Sequence, residues 1–176
     1  LCNGCIEVMY VSDNVSGESR IPSLTEIVNV IAIQRGSERP NDFVMMSGDI
    51  DSRVTDPLDG ISDSPGANDN ASGMAGVLEA ARVLSRREYA GSIIYAGLSG
   101  EEQGLFGGKI VAQHAIKQGW NIKAVLNNDM ISNIEGINGV INKFNSQSLL
   151  TFHNRVCIFF YPSFAHILIF FHTQCN

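Results

Sequence analysis

Cysteine, basic residues and long apolar runs are all scarce in this sequence, and each shortage removes a class of protein. Four cysteines (Cys2, Cys5, Cys157 and Cys175) are too few to form a disulfide scaffold for 176 residues. Cys2 and Cys5, in "CNGC", have the spacing of a redox motif or of half a zinc knuckle. No second pair follows, however, and no strand-then-helix setting surrounds them. A small bridge or two idle thiols is the better reading. Twelve Lys and Arg against 18 Asp and Glu give a formal net charge of −6, which argues against nucleic acid as a partner and favours cations. The most membrane-like stretch, "VCIFFYPSFAHILIFF" at 156–171, contains a proline and a histidine and is shorter than the roughly 20 residues of a span. The chain starts at Leu1 with no basic segment leading into an apolar one, so no signal peptide is recognised, and a start without methionine reads as a fragment.

What is present is an ordinary globular mixture, with 44% apolar and 17% charged residues. A chain of this length can form one domain that buries roughly 70% of its extended surface. The runs "IVNVIAI" (27–33) and "FVMMS" (43–47) read as neighbouring strands joined by the polar turn "QRGSERPND". A long polar loop, 49–71, follows with six aspartates: Asp49, Asp51, Asp56, Asp59, Asp63 and Asp69. Loops of that length inside a compact domain are usually functional or disordered. The spacing of Met74, Val77, Leu78, Ala81 and Leu84 predicts a helix from about Ser72 to Arg87, capped by Asn70 or Ser72. A strand at 92–98, a helix from about Leu105 to Gln118 stopped by Gly119, and a strand at 122–130 complete the pattern.

Strand, helix, strand, helix, strand in that order implies a mainly parallel sheet with helices on both faces. Ligands in such α/β folds sit off the carboxyl ends of the strands. Asp49, Glu101, Glu102 and Asp129 all come at strand ends and should therefore meet at one edge.

Three near-motifs fail on inspection. "GLFGGKI" lacks the first glycine and the final Ser or Thr of a phosphate loop, having Gln103 and Ile110 there. "GLSGE" has Glu101 where a nucleophile elbow needs glycine. The loop aspartates do not have the spacing of a calcium loop.

Converging carboxylates repel one another and raise each other's pKa unless a cation neutralises them. Several at one sheet edge therefore suggest bound metal. The adjacent pair Glu101 and Glu102 could divide the work, one holding metal and the other serving as a general base. From spacing alone, a solvated loop with scattered acids remains an equal alternative.

The segments "SGDIDSR", "PGANDNASG", "SGEEQGLFGGK" and "LNNDM", in this order, resemble the M28 family of zinc aminopeptidases over about residues 27–140. The resemblance implies a three-layer α/β/α sandwich with a mixed sheet, two zinc ions and peptide substrates. It also implies roles. Asp69 matches the aspartate that bridges the two ions, Glu101 the general base, Glu102 a ligand of one zinc and Asp129 a ligand of the other. Asp51 matches the carboxylate that stands behind the first ligand in the family's H-x-D motif.

Two departures stand out. Asp49 occupies the position of that first ligand, normally histidine, so Asp51 has no imidazole N–H to accept. An oxygen-richer site leans from Zn²⁺ toward Mn²⁺ or Mg²⁺. The family's last zinc ligand is a histidine beyond the "NND" strand, in a portion this chain lacks. The reading thus divides the chain into a lead-in at 1–26, a partial M28-like catalytic domain at 27–142 and a divergent tail at 143–176. His153, His166 and His172 in the tail, like His114 on its helix, read as packed side chains. The expected activity is removal of N-terminal residues from peptides; the alternative is a non-catalytic remnant that binds a partner or a single metal. Export, to the outside or the periplasm, is implied by the resemblance alone.

Overall fold

The computed structural model describes residues 6–132 and the backbone of 156–160. Its strands are β1 (Ile6–Val15), β2 (Thr25–Gln34), β3 (Arg39–Asp49), β4 (Gly91–Leu98), β5 (Asn121–Asn128) and β6 (Val156–Phe160), with helices α1 (Gly73–Leu84) and α2 (Phe106–Lys117). They form one mixed sheet in the order β1-β2-β4-β3-β5-β6. The three central strands β4, β3 and β5 are parallel, while β1, β2 and β6 join antiparallel.

Two expectations need correction. The runs 27–33 and 43–47 are not neighbours, because β4 lies between β2 and β3 and β2 pairs with it antiparallel. The lead-in also contains a full strand, β1. Its inward Met9 and Val11 alternate with an outward Val8 and Tyr10 that are 61% and 72% exposed, so apolar residues on both faces hide its period.

The helices cover opposite faces. α2 lies over β1 and β2, where Ile110 and Val111 join a core containing Ile31, Ile33, Phe43 and Ile94. His114 packs edge-on against Trp120, with ring centroids 5.3 Å apart. α1 lies over β3, β4 and β5. It comes so close that a Cβ on Gly48 would sit 3.1 Å from the Gly73 carbonyl carbon. α1 ends at Leu84, short of Arg87, and turns Gly73 and Val77 inward while Leu78 is 64% exposed. Of the expected stripe, Val77 is buried and Met74, Ala81 and Leu84 are half-buried, so Leu78 alone faces out. Among the described residues no helix is long and apolar enough to cross a membrane. The cysteines Cys2, Cys5 and Cys175 and the tail histidines lie outside the described residues, and Cys157 falls within β6.

Candidate metal centre

The parallel strands set the site by register. Asp49 pairs with Leu98, and Gly48 with Asn128. The chain therefore leaves β3, β4 and β5 at one level, bringing Asp49, the Glu101–Glu102 turn and Asp129 to the same edge. Asp69 arrives from the fourth side, in the wide turn Ala67–Ser72 that leads into α1. Asp69 and Asn70 leave helical geometry there, with φ of −107° and −133°.

Asp49 is the most enclosed of these acids, at 5% exposed, and among the described residues its Oδ1 has no hydrogen-bond partner. Its Oδ2 has only a long 3.5 Å contact from Asn70 Nδ2. Burial, reinforced by the charges of Glu101, Asp51, Asp129 and Asp69, pushes its pKa from 3.8 up to about 8. Glu101 behaves similarly: burial first, then Glu102, Asp129, Asp51 and Asp69, push it from 4.5 up to about 7. In both cases the charged neighbours are acids, so Asp49 and Glu101 each sit within a group of carboxylates.

Asp51 has found other partners than the imidazole its position implies. Its Oδ1 accepts the Glu101 N–H and its Oδ2 the Glu102 N–H, both at 3.1 Å. It thereby fixes the turn that carries the two glutamates. Gly100, at φ 72°, makes the sharp exit from β4 that this turn requires. The Glu102 carboxylate faces Arg53, whose Nε lies 2.6 Å from Oε2.

Three residues matter here that sequence reasoning passed over or saw only as a cap. Asn70 is buried and donates through Nδ2 to the Asn128 carbonyl at 2.9 Å, while its Oδ1 accepts the N–H groups of Gly73 at 3.2 Å and Met130 at 3.1 Å. It does cap α1, and Ser72 does not. Asn29, fully buried in β2, donates to the Val11 carbonyl at 3.0 Å and accepts the Ser99 N–H at 2.9 Å, bracing the strand exit from behind. Arg53 lies within the segment "SGDIDSR". A single asparagine in the otherwise apolar run 27–33 was the available signal for Asn29.

Two further loop acids are structural. Asp56 and Asp59 accept backbone N–H groups of Leu58 and of Ile61 and Ser62 within their own turns.

Among the described residues, no three His, Cys, Asp or Glu side chains are set as a ready ligand cage. In charge and donor type the cluster nonetheless suits a divalent cation. It offers only oxygen ligands, and one of them is a buried carboxylate oxygen with nothing to bond.

This mixed α/β architecture is shared with solved aminopeptidase and glutaminyl cyclase structures. An aminopeptidase from Aneurinibacillus sp. strain AM-1 superposes with a TM-score of 0.52 at 29% identity, covering 65% of this chain and 27% of that one. A glutaminyl cyclase from Fimbriiglobus ruber superposes with a TM-score of 0.57 at 18% identity, over 70% of this chain and 48% of that one, a likeness of fold alone. In sequence, a probable zinc metalloprotease of Leptosphaeria maculans is 44% identical over 126 residues, 72% of this chain. The match spans 29% of that relative's length. Residues 29–154 match the profile of peptidase family M28, and the chain belongs to that family.

Proposed function

We propose that this chain carries the catalytic edge of a metal-dependent peptidase that removes N-terminal residues from peptides. The carrying observation is Asp49 Oδ1, a buried oxygen without a hydrogen-bond partner among the described residues, set amid four other acids that raise its pKa. Membership of family M28, the zinc metalloprotease named among its relatives and the superposed aminopeptidase support the same reading. Asp49, Asp69, Glu102 and Asp129 would hold the metal, two zinc ions in the family's arrangement, with Mn²⁺ or Mg²⁺ suited to so oxygen-rich a set. Bound metal would supply Lewis acidity and further positive charge beside that of Arg53.

The rest falls to the chain's own residues. Asp51 holds the Glu101 backbone, and with it the base, in place. Glu101 is pushed up to about 7 in the metal-free chain, and metal on the neighbouring acids would lower it again, leaving a carboxylate able to act as base near neutrality. It takes a proton from the attacking water as the water oxygen bonds to the scissile carbonyl carbon. It then returns that proton to the nitrogen as the C–N bond breaks and the new amine leaves. An acid-lined edge also favours a substrate that arrives with a free ammonium group. Export to the outside or the periplasm belongs to this proposal on family likeness alone.

Asp49 in place of histidine also favours a second reading, a non-catalytic relative that binds metal weakly or not at all. Metal analysis and hydrolysis of aminoacyl anilides, run side by side, decide between them. Two ions per chain and turnover lost in Glu101→Gln with metal retained support the enzyme. No bound metal and no turnover support the remnant.

A further inference from the structure

Arg53 sits on the carboxylate that the metal reading needs. Its Nε donates to Glu102 Oε2 at 2.6 Å, and the Glu102 side chain is only 14% exposed. The guanidinium is steadied by its own loop, since Nη1 donates to the Val54 carbonyl at 3.0 Å and to that of Thr55 at 3.3 Å. The Glu102 backbone is held at both ends. Asp51 Oδ2 accepts its N–H at 3.1 Å, and Arg20 Nη1 donates to its carbonyl oxygen at 2.6 Å. With the main chain fixed, the carboxylate is the part of Glu102 left to exchange partners. The pair is charge-assisted and its carboxylate is enclosed, with Arg53 nearer the surface, so a cation that claims the same oxygen has to displace it.

We propose that Arg53 is a built-in counterion that occupies Glu102 in the metal-free chain and yields that carboxylate when metal binds. Arg53 thereby holds the empty site together and lowers its metal affinity. The proposal rests on Glu102 being a metal ligand. It places a cation of the chain itself in competition with the incoming one, over an oxygen that both require. A neutral side chain at position 53 removes the competitor; lysine keeps the charge.

The test is a zinc competition titration against a chromophoric chelator on wild type, R53Q, R53K and E102Q, with thermal melts in excess chelator. R53Q should bind zinc roughly three- to tenfold more tightly than wild type, as expected when one charge-assisted pair no longer has to be broken. Its metal-free melting temperature should fall, and R53K should stay within about twofold of wild type by the same argument. If E102Q weakens binding while R53Q leaves it unchanged or weaker, Arg53 is no competitor and this inference falls alone. If E102Q leaves zinc affinity unchanged, Glu102 is no ligand and the inference falls together with that assignment. Should R53Q not fold, the wild-type chain still decides. The Arg53 Nε–H resonance, assigned by its loss in R53K, should shift at saturating zinc, and a resonance unmoved at saturation overturns the proposal.

Discussion

Asp51 holds Glu101 by the backbone, its Oδ1 accepting the Glu101 N–H at 3.1 Å while its other oxygen takes the next N–H along. Two charge-assisted bonds at one turn make this aspartate a brace for the glutamate pair. Replacing it with alanine leaves both N–H groups without their acceptor, and we expect a loss of about 2 kcal/mol of stability. Turnover should fall at least roughly tenfold, because small displacements of a base are costly. Asp51→Asn keeps one acceptor oxygen and should lie between. Urea melts beside hydrolysis rates check this; an alanine variant with both values unchanged would remove the bracing role.

The raised pKa values fix the direction of a pH effect. Asp49 goes from 3.8 to about 8 and Glu101 from 4.5 to about 7 on folding. Between those limits the folded chain binds more protons than the unfolded one, so its stability falls as pH rises. Below about pH 4 the contribution is fully present, and it is lost as pH climbs through the folded values. Urea unfolding in excess chelator should therefore show stability declining from pH 5 to pH 8, and Asp49→Asn should flatten the decline. A wild-type curve that rises over that range contradicts the buried acid cluster.

Asp49 is where this chain parts from the H-x-D pattern it otherwise resembles. Asp49→His would supply a nitrogen ligand, and the Asp51 carboxylate, already accepting two N–H groups, keeps lone pairs for a third. The substitution also removes a like charge from the cluster. We expect zinc affinity to rise by roughly tenfold or more, the scale on which a ligand and its supporting partner act together. Weaker or unaltered zinc binding in a competition titration would rule residue 49 out as a ligand.

Close approach of the helices gives a fold-level expectation. A Cβ on Gly73 would collide with the Asn128 carbonyl and the Asn70 side chain, and one on Gly107 with the Ser99 carbonyl and Asn29 Oδ1. Neither backbone oxygen can turn aside. Gly73→Ala and Gly107→Ala should each cost about 1–3 kcal/mol, measured by denaturant unfolding, against a near-neutral Gly60→Ala, where nothing lies within 4 Å. A cost at Gly60 equal to that at Gly73 would show that the close packing is not responsible.

The three parallel strands were legible because each is an apolar run that stops abruptly at a polar residue, and Asp49, Glu101 and Asp129 mark those stops. Their meeting at one edge then followed from the parallel arrangement. The neighbour of β3 was not legible. Its partner β4 begins more than forty residues after β3 ends, and nothing local distinguishes it from β2 as an apolar ribbon. Leu78 was misplaced because α1 approaches the sheet through Gly73, a residue that leaves no hydrophobic signal. Arg53 and Glu102 lie 49 positions apart, and their pairing depends on the path of a loop that composition alone cannot trace.

The Asn70 carboxamide reaches the Asn128 carbonyl and the N–H groups of Gly73 and Met130, so one side chain joins the start of α1 to the end of β5. Those two amides have the same acceptor oxygen. In hydrogen exchange they should therefore open as a pair, with protection factors that move together when temperature or denaturant changes. Removing the shared acceptor by Asn70→Ala should expose both at once, although Gly73 and Met130 lie 57 positions apart in the chain. The junction of α1 and β5 should thus exchange as one unit, held by a neutral amide beside the acids that the same edge gathers.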